Sequence, residues 1–160
     1  MGNSTPIADG LFDWPADEPR LTGGHCVECG TTTFPHQEAC PRCGAQPLER
    51  QPLARRGRLW AWTTQEFPPP APPYAGAQGP DFEPFGVGYV ELPGELRVEA
   101  RLTKHRPEDL RIGMEMELVI VPFGTDDDGI ERVTFAFRPV DVANGLKRQR
   151  FRPSPPTAKP

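Results

Sequence analysis

Apolar and polar residues alternate one for one through the middle of the chain, and the alternation predicts strands. Leu96, Val98, Ala100 and Leu102 stand between Arg97, Glu99 and Arg101, so one face is apolar and the other charged. Met114, Met116, Leu118 and Ile120 alternate with Glu115 and Glu117, and Val133, Phe135 and Phe137 with Thr134 and Arg138. A longer run covers residues 58–67. Strict alternation there puts Leu59, Ala61 and Thr63 on one face and Trp60, Trp62 and Thr64 on the other. Residues 85–92 form a further strand, with Tyr89 expected to pack inward. Gly86 and Gly88 in it signal a bend or a close backbone approach. Pro93-Gly94 is a turn. Residues 106–110 read as one helical turn, with Pro107 near its start. Asp126, Asp127 and Asp128 fall in a solvated loop at residues 124–129, and their spacing does not match an EF-hand.

Five strands with a short helix between the third and fourth give the order of an OB-fold barrel, expected over residues 55–140. Composition changes the picture outside it. Most of the 22 prolines lie at the start, in residues 68–84 and at the end, so regular structure is not expected there. Residues 1–20 are read as an arm with apolar anchors Leu11, Phe12 and Trp14. Residues 141–160 are a basic tail: Lys147, Arg148, Arg150, Arg152 and Lys159 face Asp141 alone, a net +4 within a chain of net −4. The 160 residues suffice for one compact core and a small satellite domain.

The satellite is residues 21–54, where four cysteines form two matched pairs. Cys26-Val27-Glu28-Cys29-Gly30 and Cys40-Pro41-Arg42-Cys43-Gly44 repeat one knuckle. Two intervening residues let both sulfurs of a pair face one ion. The following glycine permits the left-handed backbone that aims amides at the sulfurs. Four thiolates make a closed tetrahedral site for structural zinc, with no open position for substrate. Iron in a rubredoxin-type site and two disulfides are the alternatives. A start without a basic segment or apolar run, and no membrane-length apolar stretch, favour a cytoplasmic protein and metal over disulfides. His25 and His36 flank the cysteines as surface or supporting residues. Residues 31–34 read as a short strand between the pairs.

A ribbon running from Gly24 through Cys26, Cys29, Phe34-Pro35, Cys40 and Cys43 is followed by Gly57-Arg58-Leu59-Trp60-Ala61-Trp62-Thr63, by Pro84-Phe85-Gly86-Val87-Gly88-Tyr89-Val90-Glu91-Leu92, and by Arg111-Ile112-Gly113-Met114. In this order, over roughly residues 10–140, the chain resembles the acyl-CoA-associated family of rubredoxin-like zinc-ribbon and OB-fold proteins. The resemblance implies a non-catalytic accessory subunit. Its partner would be a thiolase-like or lipid-transfer-protein-like enzyme that shortens the CoA-linked side chain of a steroid or aromatic acid, in an α2β2 assembly. The family carries no catalytic motif over to this chain.

The residues agree with that role. Thiolase chemistry needs a nucleophilic cysteine or an activated base beside an oxyanion hole. Here every cysteine is committed to metal, and His105 stands alone in a polar turn. Residues 66–84 are a long, stiff, proline-rich connection. With the arm, they offer Phe12, Trp14, Phe67, Tyr74 and Phe82 as anchors for the partner. Arg55, Arg56 and Arg58, between ribbon and barrel, are the candidates for CoA phosphates. Single-stranded nucleic-acid binding is the competing function, since OB-folds and ribbons both serve it. A body of net −8 outside the tail, with arginines alternating with glutamates, weighs against a polyanion.

Overall fold

The computed structural model describes residues 4–72 and 74–140; the basic tail lies outside the described residues. The fold is mainly β. The described residues form nine strands: β1 (Thr5–Pro6), β2 (Thr22–His25), β3 (Thr32–Thr33), β4 (Glu49–Pro52), β5 (Arg56–Gln65), β6 (Phe85–Glu91), β7 (Arg97–Leu102), β8 (Glu115–Thr125) and β9 (Glu131–Pro139). No helix among the described residues is long and apolar enough to cross a membrane.

Strands β5 to β9 form the expected five-stranded OB-fold barrel. The hydrogen-bonded order is β7-β6-β5-β8, with β9 paired to both β7 and β8, so the sheet closes. Pairing is antiparallel except between β7 and β9, which run parallel at Arg101↔Ala136 and Leu102↔Phe137. The inward faces supply Leu59, Val90, Val98, Leu102, Met116, Leu118 and Phe137, all essentially inaccessible. Each such side chain contributes roughly 1.5–3 kcal/mol of burial. The alternation in 96–102 and 114–120 therefore reads the core side correctly.

In β5 the alternation fails. The register with β6 shifts between Leu59 and Ala61, leaving Trp60 as the extra residue of a β-bulge. Past the bulge, faces exchange. Trp62, opposite Gly88, packs against the core, while Trp60 stays 46% exposed. The glycines of β6 make room for this. A Cβ on Gly88 would press on Leu59 and Leu102, and one on Gly86 would run into the Lys104 carbonyl. Tyr89 faces outward, edge-on to Trp60 at 6.2 Å, and its hydroxyl donates to Glu99 at 2.9 Å. It is not the core residue expected.

One more expectation changes, and one strand runs further than its alternation. Residues 106–110 form a turn closed by Asp109 N–H to the Arg106 carbonyl, not a helical turn. Strand β8 runs to Thr125, straight through Pro122. Proline is tolerated there because β5 pairs β8 only at Glu115–Glu117, so the missing N–H had no partner to lose. The loop beyond is the expected turn. The Asp126 carboxylate accepts the amides of Asp128 and Ile130 and pairs with Arg132 at 2.7 Å, so it serves to close the turn.

The N-terminal segment is bound to the barrel and does not stand off as an arm. β1 adds in parallel to β9 at Arg132 and Val133, and Ile7 N–H continues to the Val133 carbonyl. Phe12 bridges to Leu21 and is 5% exposed. The ribbon sheet, in the order β3-β2-β4, leans on the same core. Leu21 and Leu53 are fully buried within it, Ala54 N–H donates to Glu95, and Phe34 meets Phe135 edge-on at 5.4 Å.

Leu53 joins the two units, so Leu53→Ala should cost about 2–5 kcal/mol, the usual range for a buried leucine. Urea unfolding should remain one transition by tryptophan fluorescence and by release of thiols. Two separated transitions would show that ribbon and barrel do not share a core. Glu117 supplies a second expectation. Arg138 at 3.0 Å, with Arg56, holds its carboxyl below the ordinary 4.5. A lowered folded pKa stabilises fully above the unfolded value and is lost as pH falls through the folded one. Glu117→Gln should therefore flatten the loss of stability below about pH 4.5, read from urea midpoints across pH.

Candidate metal centre and its surroundings

Each knuckle is built the same way. After Cys26, the chain turns so that Gly30 N–H reaches the Cys26 carbonyl at 2.8 Å and Cys26 N–H takes the Thr31 carbonyl at 2.9 Å. After Cys40, Gly44 and Ala45 repeat both bonds at 2.9 and 2.8 Å. Gly30 and Gly44 have φ of 71° and 76°, the left-handed conformation that glycine adopts without strain. The two knuckles then face each other across the top of the ribbon sheet.

All four sulfurs lie within 4.8 Å of one another, with Cys26–Cys43 at 3.5 Å and Cys29–Cys40 at 3.6 Å. A disulfide needs about 2.05 Å. Four bonds of about 2.3 Å at tetrahedral angles put sulfurs about 3.8 Å apart, so the cluster has the span of a four-thiolate metal site. The thiols are not alike electrostatically. The Thr31 hydroxyl, 3.2 Å away, and the Thr31 amide hold Cys29 down to about 6. The Cys43 amide, ahead of an opposing desolvation, lowers Cys40. For Cys43 the Ala45 amide pulls downward, but hydrogen bonds with Cys26 and Cys29 outweigh it and push the thiol up to about 12. A fourth thiolate among three is stable only with a cation between them.

Neither nearby histidine joins the sulfurs. His25 pairs within the sheet, and His36 Nε2 bonds the Leu48 carbonyl at 3.1 Å, bracing the second knuckle. No carboxylate among the described residues stands with the four cysteines.

The three arginines do not converge. Arg55 reaches back to Glu18 at 3.2 Å; Arg56 pairs with Glu115 and Glu117 at 3.5 and 3.4 Å. Arg58 is exposed opposite Glu91, which Arg97 neutralises at 3.5 Å. The aromatic anchors also divide. Phe12 is spent on this chain's own core, packed edge-on to Trp14 and Phe135, and Trp14 donates its indole N–H to the Ser4 carbonyl. That corrects the expectation of exposed arm aromatics: the monomer has a cavity for them between β9 and the ribbon. Tyr74 and Phe82 are half-buried, edge-on to Phe123 and Phe85. Phe67 alone stands free, 71% exposed.

Sequence reasoning missed an outward patch. Exposed Trp60 and Tyr89 meet edge-on, and Gly113 N–H, next to exposed Ile112, bonds the Leu59 carbonyl, next to Trp60. The bulge that turns Trp62 inward leaves no mark in the hydrophobic pattern.

Comparison with known proteins follows this two-part architecture. The family model described as "ChsH2, rubredoxin-like zinc ribbon domain" matches residues 13–49, and the one described as "ChsH2, C-terminal OB-fold domain" matches residues 50–121. The chain is 32% identical over 132 residues to "Benzoylsuccinyl-CoA thiolase subunit BbsA" of Thauera aromatica, covering 81% of this chain and 85% of that one. It is 33% identical over 122 residues to a "DUF35 domain-containing scaffold protein" of Pyrococcus furiosus, covering 76% and 84%. Among solved structures, "Ltp2-ChsH2(DUF35) aldolase" superposes with a TM-score of 0.54 at 27% identity, covering 75% of this chain and 84% of that one. On its ribbon, its barrel and their order, this chain belongs to the ChsH2 family of rubredoxin-like zinc-ribbon and OB-fold proteins.

Proposed function

We propose that this chain is the non-catalytic accessory subunit of a thiolase-superfamily acyl-CoA enzyme, and that its cysteines hold structural zinc. The observation that carries the reading is the similarity along both domains to a protein named as a thiolase subunit. A second relative is named as a scaffold, and a structural neighbour as an aldolase assembly. The chemistry of this chain supports the role. All four thiols are turned onto one point, and among the described residues no ion pair involves His105, whose carbonyl is held by the Thr64 hydroxyl. The catalytic subunit would thiolyse or retro-aldol cleave the CoA-linked side chain of a steroid or aromatic acid. A cytoplasmic α2β2 complex is the assembly this reading implies.

Phe67 is the anchor best placed for the partner, with Tyr74 and Phe82 shaping the loop that presents it. Truncating a buried anchor costs at least about 2 kcal/mol of binding, roughly thirtyfold in affinity. Phe67→Ala should weaken a titration against the catalytic subunit by that factor, with circular dichroism unchanged. The paired change Tyr74→Ala, Phe82→Ala should act through loop order and cost less. An affinity within twofold for all three would move the interface to the ribbon or the outer barrel face. For CoA phosphates, Arg58 is the arginine to test: Arg58→Gln should raise the KM of the complex for acyl-CoA, whereas Arg56→Gln should only loosen the pairing with Glu117.

Two assays test the reading itself. The isolated chain should not turn over acyl-CoA, and adding the catalytic subunit should restore turnover; lyase or thiolase activity from this chain alone sinks the proposal. Elemental analysis should find one zinc per chain, and Cys40→Ser should lose both zinc and the ribbon fold, since binding energy at such sites is folding energy. Iron in the purified protein would overturn the assignment of zinc.

A further inference from the structure

Strand β7 meets β9 at only two positions, Arg101↔Ala136 and Leu102↔Phe137. Upstream, β9 takes β1 as its neighbour at Arg132 and Val133. The first residues of β7 therefore leave β9, and the barrel wall opens between β7 and β1. A groove of about 480 Å³ follows this seam, walled by Ile7, Pro69, Tyr74, Phe123 and Phe135. A hollow of about 540 Å³ shares the first four of these residues, so the two form one depression beneath the proline-rich loop. Ile7 stays 41% exposed at its lip, although its amide is tied to β9.

An apolar hollow specifies no ligand by itself, but this one has a cation at its edge. Arg101 lines the groove with its guanidinium 4.3 Å above the Phe85 ring. The ion pairs among the described residues involve Arg55, Arg56, Arg97, Arg132 and Arg138, and Arg101 takes part in none. Glu99 also borders the groove, but its carboxylate accepts the Tyr89 hydroxyl at 2.9 Å. Stacking on an aromatic face leaves the N–H edge of a guanidinium open, and that edge matches a carboxylate. An apolar cleft with few convergent polar groups is the usual form of a small-ligand site.

We propose that the seam between β1 and β7 binds an organic carboxylate with an apolar body. The body lies among Tyr74, Phe123 and Phe135, and the carboxylate rests on Arg101. The site belongs to this chain alone and stands or falls independently of any catalytic partner.

The test uses the full-length, metal-loaded, ¹⁵N-labelled protein, titrated with 4-phenylbutyrate and with 4-phenylbutanol, which keeps the body and removes the charge. Saturable amide shifts are expected at Ile7, Tyr74, Ala100, Arg101, Phe123 and Phe135. The acid should bind roughly fivefold more tightly than the alcohol, which is the reach of one partly exposed ion pair. Arg101→Gln should bring the acid down to the alcohol's affinity, while Arg97→Gln, whose guanidinium lies over Trp60, should change nothing. The same spectra report whether each variant is folded. Equal affinities for acid and alcohol, shifts centred on Trp60 or the ribbon, or no saturable shifts with either probe would overturn the proposal.

Discussion

Strand β9 carries hydrogen bonds to β8 along its length, to β7 at its end and to β1 at its start, and the other parts of the molecule are placed by these contacts. Its Phe137 fills the barrel. Its Phe135 receives Phe12 from the N-terminal segment and Phe34 from the ribbon. Parallel pairing of β7 with β9 requires a long connection, and closing the barrel through it is an entropic cost that only the completed core offsets. Once closed, β9 has one free stretch of edge, and β1 covers it. An uncovered edge would invite pairing with another chain.

The ribbon depends on this arrangement as much as on its cysteines. A sheet with strands of two to four residues has little apolar area of its own. It inserts its own Leu21, Leu53 and Phe34 into the core it shares with the barrel, and a metal held by the four cysteines would add folding energy. The cysteines form a cluster of their own with Leu48, separate from the shared core. Such a centre would suit a subunit whose task is shape, since a bound metal would keep both knuckles rigid. That is the sense in which the metal serves the proposed function without taking part in chemistry.

The surfaces are unequal. Around the entrance to β5, arginine and glutamate are paired into a neutral mosaic of Arg56, Glu115, Glu117 and Arg138. Exposed pairs of this kind add little stability, but they leave little positive potential for a nucleic acid. Apolar exposure among the described residues falls instead on Phe67, on the Trp60–Tyr89 pair, on Ile112, on Val27 of the first knuckle and, along the seam, on Ile7. The proline-rich loop links the first and last of these. Tyr74 and Phe82 hold it to Phe123 and Phe85, so Phe67 is presented on an ordered support.

Much of this was legible in residue order. Paired Cys-x-x-Cys-Gly knuckles specify a metal ribbon because the local backbone alone aims the sulfurs. Period-two runs such as 96–102 identify core faces because a strand's side chains alternate whatever its neighbours are. The family resemblance lay in those same segments. What the sequence could not decide depended on pairing between distant residues. The bulge that sends Trp62 in exists only against β6, and Pro122 is admissible only because β8 has a free edge there. The fate of Phe12 followed from the tertiary gap between β9 and the ribbon, since an aromatic in a proline-rich segment looks the same whether a partner or its own fold buries it. Of the three neighbouring arginines, Arg55 and Arg56 went to separate carboxylates and Arg58 stayed exposed, while Arg101, unremarkable in its alternating run, became the cation at the edge of the groove. Local geometry is written in short spacings, whereas charge pairing and cavities arise from contacts that only a closed barrel creates.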